Sequence, residues 1–266
     1  MHPMLNIGIR AARAAGKVIT QNMDRVDTLN VSRKAHNDFV SDVDRMAEAA
    51  VIAVLRKAYP DHAILGEESG AHGAAEAEFQ WIVDPLDGTI NFLHGFPHFN
   101  VSIALRHKGR LDQAVIYNPV SQELFTASRG AGAWLNNKRI RVSRENYLEN
   151  TLIGSGFPGR EGDDLEGYVR QFAAVSARCR GIRRPGAAAL DLAFVAAGRL
   201  DGFWVTGVNE WDLAAGALII REAGGIVTDI TGGDQWAETG SMVAGNPKIT
   251  HALLQTLAAT KTATNS

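Results

Sequence analysis

The 266-residue sequence predicts an α+β fold whose two halves differ in organisation. In the first half, short runs of β-forming residues are separated by tight turn signals, which is typical of an antiparallel meander. From Thr151 onward, strand-like and helix-like segments alternate, which is typical of a second sheet covered by helices. No Pro- or Ser-rich linker separates the halves. We therefore expect a single domain over residues 1–266, with an antiparallel half (1–145), an α/β half (146–260) and a frayed tail (261–266).

Two amphipathic helices are predicted at the start of the chain. Apolar residues recur at near-helical spacing over Leu5–Met23, with basic residues between them. After the polar stretch Asn30–Asp38, Ser41 is followed three residues later by Asp44, which resembles a capping box. The helix that follows should end near Tyr59, because a proline comes next. These local signals leave two readings of Asp44, as a helix-start acid or as a catalytic group.

Strands and loops make up the rest of the first half. A short strand, Ala63–Leu65, leads to the adjacent acids Glu67 and Glu68, which are either solvated or metal ligands. The stretch Gly70–Glu78 is rich in Ala, Gly and Glu and offers nothing to pack, so we expect a mobile loop. The meander is then predicted to contain the strands Val101–His107, Gln113–Tyr117 and Glu123–Ala127.

A basic segment, 138–144, closes the first half. Its arginines and lysine alternate with Ile140 and Val142 and lack interleaved aromatic residues, so it fits the solvated face of a strand better than a nucleic-acid site.

The second half is predicted to contain three strands and four helices. The strands are Thr151–Ser155, Asp201–Val205 and Ile226–Asp229, and the helices are Leu165–Cys179, Ala187–Ala197, Trp211–Ala223 and Pro247–Leu257. A polar tail after Ala258 should fray.

Composition narrows the class of partner. The formal charge of −2, from 27 basic and 29 acidic residues, gives no general attraction to nucleic acid or to anionic membranes. The apolar runs fall far short of the ~20 residues needed to span a bilayer, and the N-terminal residues lack a secretory signal pattern. The single cysteine, Cys179, excludes an intramolecular disulfide and fits a reducing compartment. We expect a cytoplasmic protein with a small-molecule partner.

One stretch, Trp81–Phe92, combines a predicted strand, two carboxylates and a tight turn. Asp84 and Asp87 offer the hard oxygen ligands that Mg²⁺ takes, and Gly88 and Thr89 could open a helix whose N–H groups accept a phosphate. Spacing excludes an EF-hand calcium loop. It also disfavours an Asp-x-Asp phosphatase with an aspartate nucleophile, so water is the expected nucleophile.

Two further motifs are ambiguous on their own. Gly154–Gly159 matches the G-x-G-x-x-G pattern of dinucleotide-binding folds, but it contains a proline and does not open a βαβ unit at the front of a domain. We therefore disfavour nucleotide binding of that type. Asp212 precedes a helical pattern and is either a helix-capping acid or a site residue.

Taken together, the segments Gly66–Ser69, Asp84–Phe92 and Trp211–Gly216 resemble the inositol monophosphatase family of Mg²⁺-dependent phosphatases. The resemblance covers essentially the whole chain and is strongest to bacterial members. It implies the layered α-β-α-β-α sandwich of the inositol and fructose-bisphosphate phosphatases, usually a homodimer, together with inhibition by lithium.

The resemblance also assigns roles to individual residues. One metal would be held by Glu67, Asp84 and the carbonyl of Leu86, and a second by Asp84, Asp87 and Asp212. Glu67 and Thr89 would orient a water that the first metal acidifies for in-line attack on phosphorus. Asp44 would hydrogen-bond Thr89. The substrate would contact Asp87, Gly88, Thr89, Gly186, Ala187, Ala188, Val205 and Asp212.

Two positions depart from the family pattern. Ile90 stands where Thr or Ser is usual, and we expect little effect. Val205 stands where many members have a Glu that bonds inositol hydroxyls, which places polyol specificity in doubt. The expected substrate is inositol monophosphate or a similar small polyol or sugar phosphate, the alternatives being fructose bisphosphate, histidinol phosphate and nucleotide phosphates. A different alternative is a partner-binding role in the transcription machinery.

Overall fold

Two helices that pack on one another form the first layer of the fold. In a computed structural model that describes residues 2–28, 31–35, 38–74, 76–157 and 164–262, these are α1 (Pro3–Asn22) and α2 (Asp42–Ala58). A 3₁₀ turn (Met23–Thr28) and an antiparallel hairpin of β1 (Val31–Ala35) and β2 (Asp38–Ser41) connect them. Several predicted segments extend outside the described residues. The polar stretch Asn30–Asp38 lies partly outside them, and so do the glycine motif, at Pro158 and Gly159, and the tail, at residues 263–266.

The first sheet contains eight strands in the described part of the chain: β3 (Ala63–Gly66), β4 (Gly70–His72), β5 (Phe79–Asp87), β6 (Asn100–His107), β7 (Arg110–Asn118), β8 (Glu123–Ser128), β9 (Gly132–Leu135) and β10 (Lys138–Arg139). Their spatial order is β10-β9-β8-β7-β6-β5-β3-β4, and the short helix α3 (Thr89–Leu93) follows β5. Neighbours are antiparallel except β3 and β5, which are parallel. The predicted meander is confirmed.

The second sheet and its helices come from the rest of the chain. In order, the elements are β11 (Leu152–Ser155), α4 (Leu165–Ser176), β12 (Gly181–Arg183), α5 (Ala188–Ala196), β13 (Gly202–Val205), α6 (Glu210–Glu222), β14 (Ile226–Thr228), α7 (Trp236–Thr239), β15 (Met242–Gly245) and α8 (Pro247–Thr262). The strand order is β12-β11-β13-β15-β14. β11 is parallel to both of its neighbours, whereas β15 is antiparallel to β13 and β14.

The helices and sheets form five layers, because alternate side chains of the strands are buried on opposite faces of each sheet. Trp81 and Val83 of β5 pack with α1 and α2, whereas Ile82 points to the other face and packs with α5 and α6. The opposite side of α5 and α6 packs on the second sheet through residues such as Phe203 and Ala244. α4 and α8 cover the outer face of that sheet. The layered α-β-α-β-α sandwich is confirmed, and its central helices begin next to the end of β5.

Several local predictions were wrong. The expected loop Gly70–Glu78 begins with strand β4, which is held by backbone pairing to β3 and needs no large side chains. The strand predicted in the basic segment is limited to Lys138–Arg139, because beyond it Ile140 and Val142 turn inward to pack on the core of the central helices. α8 continues to Thr262, past the predicted end at Leu257, so residues 258–262 are helical.

Candidate active site

Three aspartates converge where β5 ends. Asp84 and Asp87 lie on β5 and Asp212 is the third residue of α6, and one carboxylate oxygen from each lies within 4.8 Å of the others. Glu67 follows β3, where its backbone N–H donates to Val83 O at 3.1 Å, and its side chain hydrogen-bonds Asp84. The parallel pairing of β3 with β5 brings both carboxyl ends to the same edge. Four predicted metal ligands therefore meet at one place.

The crowding of these acids perturbs their ionisation. Burial raises the pKa of Asp84 well above its usual value, and the charges of Glu67, Asp87 and Asp212 raise it further. Burial also raises the pKa of Asp87, to about 6, against the opposing effect of hydrogen bonds from Asn100 and Ala189. Without a cation, the cluster therefore resists full ionisation.

The turn after Asp84 is fixed by the carboxylate itself. The backbone N–H of Leu86 donates to Asp84 Oδ1 at 3.0 Å, and the β5–β6 register shifts between Asp84 and Asp87. The carbonyl of Leu86 lies 3.2 Å from the hydroxyl oxygen of Thr89. This irregular strand end places the backbone oxygen of Leu86 and the side chain of Asp87 near the same edge.

Asp44 reaches the site from the start of α2. Its Oδ2 accepts the backbone N–H of Ser41 at 2.8 Å and the Ser41 hydroxyl at 2.6 Å, which confirms the predicted capping box. Its Oδ1 accepts the hydroxyl of Thr89 at 2.8 Å. Burial raises the pKa of this carboxyl group. Asp44 is thus a helix cap and also a partner of Thr89, so the two readings of the sequence do not exclude one another.

Asp212 likewise combines capping with its place in the cluster. Its Oδ2 accepts the backbone N–H of Asn209 at 2.7 Å, as expected for an acid at the third position of a helix. The start of α6 is therefore fixed by the same side chain that faces Asp84 and Asp87.

Gly88 provides the turn from β5 into α3. Its φ of +95° lies in the left-handed region, and a Cβ at this position would lie 3.0 Å from His98 O and 3.2 Å from Ala187 Cβ. Helix α3 begins at Thr89, as predicted, but contains only five residues. Asn91, in α3, donates its amide to the carbonyls of His98 and Pro185 at 2.7 and 2.8 Å, which ties α3 to the segment before α5.

A cleft of about 340 Å³ opens beside the cluster. The predicted residues that line it are Glu67, Asp87, Gly88, Thr89, Ile90, Gly186, Ala187, Ala188, Val205 and Asp212. Asp44, Asp84 and Leu86 are buried and stand behind this lining. The structure therefore gathers the predicted site residues around one cavity.

Val205 is buried at the end of β13 and brings no polar group to the cleft. Val205 packs against Gly156, directly after β11, where a Cβ would lie 2.3 Å from Val205 Cγ2. Within β11, a Cβ at Gly154 would lie 2.9 Å from Phe203 Cδ2. These first two glycines of the G-x-G-x-x-G pattern are thus explained by close strand packing, in agreement with the low weight given to nucleotide binding.

Two residues near the cluster were missed by the sequence analysis. Glu48 is buried on α2 and accepts the backbone N–H groups of Glu68 and Ser69 at 2.7 and 3.0 Å, so it holds the segment that carries Glu67. The sequence did offer one indication of this role: Glu48 is four residues after Asp44, so both side chains lie on the same face of the helix. Asn100 donates to Asp87 Oδ2 at 2.7 Å across the β5–β6 pair, and nothing in the local sequence indicates this contact.

Comparison with known proteins places this geometry in context. The sequence profile of the inositol monophosphatase family matches residues 1–263. The chain belongs to the inositol monophosphatase family. Nus factor SuhB of Pseudomonas aeruginosa is 54% identical over 261 residues, which cover 97% of this chain and 96% of that protein.

Solved structures agree with this assignment. The extragenic suppressor protein suhB of Bartonella henselae superposes with a TM-score of 0.94 at 45% identity, covering 96% of this chain and 98% of the other. An inositol monophosphatase from Anabaena superposes with a TM-score of 0.84 at 36% identity, covering 96% of this chain and 95% of the other. The predicted family and fold are confirmed.

Membership of the inositol monophosphatase family gives the acidic cluster a chemical context. The family uses divalent metal ions, and carboxylates with a nearby backbone carbonyl are the hard oxygen donors such ions take. The cluster of Asp84, Asp87 and Asp212 is therefore a candidate site for a divalent cation. Among the described residues, no helix is both long enough and apolar enough to cross a membrane.

Proposed function

We propose that the protein is a Mg²⁺-dependent phosphomonoesterase that hydrolyses inositol monophosphate or a similar small polyol or sugar phosphate. The observation that carries the proposal is the buried carboxylate cluster at the wall of the cleft, with Thr89 and Asp44 beside it. In this assignment Glu67, Asp84, Asp87, Asp212 and the carbonyl of Leu86 would hold the metal.

Electrostatics supports a cation in this place. Two ionised carboxylates 4.8 Å apart repel by about 3.5 kcal/mol at an effective dielectric constant of 20, and a phosphate group would add to that repulsion. When bound, Mg²⁺ would offset the charge of the phosphate and acidify a water. The acids alone would repel the substrate that the cleft is proposed to bind.

The chain's own residues would orient the nucleophile and the phosphate. The hydroxyl of Thr89 has one proton, which it would donate to Asp44 Oδ1 at 2.8 Å, so its oxygen lone pairs would be left to accept a hydrogen bond from a water. Glu67, at the same wall of the cleft, would hold that water on its other side. The backbone N–H groups of Gly88 and Thr89 would bind the phosphate, and Asp212 would lie on the side of the leaving oxygen.

The cleft suits a small organic group but does not specify a polyol. Gly186, Ala187 and Ala188 provide a wall of small residues, and Val205 offers no acceptor for hydroxyl groups. We therefore propose a weaker preference for inositol than a glutamate at position 205 would give. Fructose bisphosphate, histidinol phosphate and nucleotide phosphates are the alternative substrates.

Phosphate release from a panel of these compounds, with Mg²⁺ and with EDTA, tests the proposal. We expect Mg²⁺-dependent release by the wild type, none by Asp87→Asn, and a higher rate with inositol monophosphate for Val205→Glu. If no small phosphomonoester is hydrolysed by folded, Mg²⁺-supplied protein, the enzymatic proposal fails. Equal turnover by Asp87→Asn would remove the cluster from the reaction.

A partner-binding role in the transcription machinery is a second candidate, because the 54% identical relative carries the name Nus factor. A pull-down with RNA polymerase components separates the two functions. If Asp87→Asn captures RNA polymerase components as well as the wild type does, the result would support a partner surface that is independent of catalysis. If neither the wild type nor Asp87→Asn captures them, the result would count against a partner-binding role.

Family membership suggests three further properties, which we propose on that basis. They are a homodimeric state, inhibition of phosphate release by lithium, and a cytoplasmic location. Sedimentation analysis and lithium titration of phosphate release test the first two, and cell fractionation tests the third.

A further inference from the structure

Asn100 is a fully buried amide next to the carboxylate cluster. It lies at the start of β6, directly opposite Asp87 in the β5–β6 register, and its side chain is 0% exposed. Its Nδ2 donates to Asp87 Oδ2 at 2.7 Å. The proposed reaction gives this residue no role.

Protein donors already occupy most of the Asp87 carboxylate. Oδ2 accepts from Asn100 and also from the backbone N–H of Ala189 at 2.8 Å, and Oδ1 accepts the backbone N–H of Ala188 at 3.2 Å. A carboxylate has about four lone-pair directions, two on each oxygen. Both directions on Oδ2 are therefore used, and the remaining one is on Oδ1.

The other end of the Asn100 side chain is unfavourable for stability. In the part of the chain that the structure describes, Asn100 Oδ1 is buried without a hydrogen-bond partner. An apolar side chain of similar size would avoid burying this acceptor. The favourable contribution of Asn100 is thus concentrated in its hydrogen bond to Asp87. That bond fills the second lone-pair direction of Oδ2, so the remaining open direction is on Oδ1.

We propose that Asn100 is a positioning residue for the metal site, which occupies Asp87 Oδ2 and leaves Oδ1 as the oxygen that can bind a cation. This inference rests on the proposed function, because it assumes that the cluster binds a metal. It adds a residue outside the ligand set, from the strand opposite Asp87, and it predicts that Asp87 binds through a single oxygen.

Calorimetric titration of the metal-free chain with Mn²⁺ tests the inference. We expect Asn100→Leu to raise the Kd for Mn²⁺ by about tenfold or more, since residues that orient a ligand typically change metal affinity by 10- to 100-fold. The matched control is Gln113→Leu. Gln113 is another buried amide of the same sheet, and its Nε2 donates to Asp112 Oδ2 at the same distance of 2.7 Å, but it lies outside the cluster.

The control should bind Mn²⁺ within about twofold of the wild type. Should Asn100→Leu fail to fold, Asn100→Ala carries the same test, since it removes the donor without adding bulk. In activity assays, the Mg²⁺ concentration for half-maximal phosphate release should rise in the Asn100 variant, while kcat at saturating Mg²⁺ changes little.

Unchanged Mn²⁺ affinity of the Asn100 variant overturns the inference, as does an equal loss in Gln113→Leu. These outcomes are separate from failure of the proposed function. A wild type that binds Mn²⁺ but releases no phosphate would refute the phosphatase proposal and still leave the comparison of affinities to decide the role of Asn100.

Discussion

Raising the pH should destabilise the metal-free protein through Asp87. Burial raises the pKa of this carboxyl group from 3.8 to about 6 in the folded protein. Between these values the unfolded chain releases the proton and the folded protein retains it, so the free energy of unfolding falls as the pH rises. Stability from this source is fully present below pH ~4 and is lost as the pH passes about 6.

The magnitude follows from the same two values. A pKa that rises from 3.8 to about 6 corresponds to about 3 kcal/mol, at about 1.4 kcal/mol for each tenfold change in proton affinity. Asn at position 87 does not titrate, so Asp87→Asn should lack this loss. The Asp87 charge also raises the pKa of Asp84, and relief of that repulsion acts in the same direction.

Urea unfolding in EDTA, followed by circular dichroism at several pH values from about 4 to 7, measures the effect. Between about pH 4 and 7 the free energy of unfolding of the wild type should fall by about 2.4 kcal/mol relative to that of Asp87→Asn. Asp229→Asn is the control, because hydrogen bonds from Thr231, Gly233 and Gln235 lower the pKa of Asp229 to about 2 and its contribution is constant above pH ~5.

Saturating Mg²⁺ should remove most of the pH-dependent loss in the wild type, since a ligand at 100 times its Kd stabilises the folded state by about 2.7 kcal/mol. A difference between the wild type and Asp87→Asn that stays constant with pH would refute the reasoning. So would a wild type that gains stability over the variant as the pH rises, because the sign would then be that of a lowered pKa.

Three other substitutions test the parts of the site separately. Thr89→Val removes the hydroxyl bonded to Asp44, so kcat should fall by about 10²-fold while urea unfolding reports a folded protein; unchanged kcat would exclude Thr89 from the reaction. Gly88→Ala places a Cβ in a left-handed turn, 3.0 Å from His98 O, and should lower the free energy of unfolding by about 1–3 kcal/mol. An unaltered urea midpoint would show that the turn accommodates the Cβ without strain. Glu48→Ala frees the N–H groups of Glu68 and Ser69, so calorimetry should give a Mg²⁺ Kd about 10- to 100-fold higher; wild-type affinity would mean that Glu67 needs no such support.

The sequence predicted the layers of the fold better than their edges. Long periodic segments such as α1, α2 and the meander strands carry their own signal, and each was found. β4 was missed because an edge strand needs only backbone pairing with β3. β12 and β15 were missed because three or four residues are too few for a periodic pattern, although Met242–Gly245 is entirely buried between two antiparallel neighbours.

The site residues were also predicted unevenly, according to whether they share a local motif. One motif within residues 84–89 predicts five of them together, and the structure places these five at one strand end: Asp84, Leu86, Asp87, Gly88 and Thr89. Contacts that depend on tertiary register have no local signal. Asn100 reaches Asp87 only because β6 pairs with β5, and Glu48 reaches the Glu67 segment only because α2 lies against β3 and β5.

Helix starts explain how so many acids can be buried together. Asp44 and Asp212 are each the third residue of a helix, and the first two N–H groups of α5 donate to Asp87. Each helix N-terminus carries a partial positive charge that favours a nearby carboxylate, and its unpaired N–H groups need acceptors.

Asp84, like Glu67, does not lie at a helix start. It lies within β5, and burial together with Glu67, Asp87 and Asp212 raises its pKa. The hydrogen bonds that lower the pKa of Asp87 come largely from Asn100 and the start of α5, and Asp84 has no helix start of its own. Among the described residues, Asp84 accepts the backbone N–H of Leu86 but no N–H group from a helix start. In the proposed metal site, Asp84 would therefore depend more than Asp87 or Asp212 on a bound cation to offset its charge.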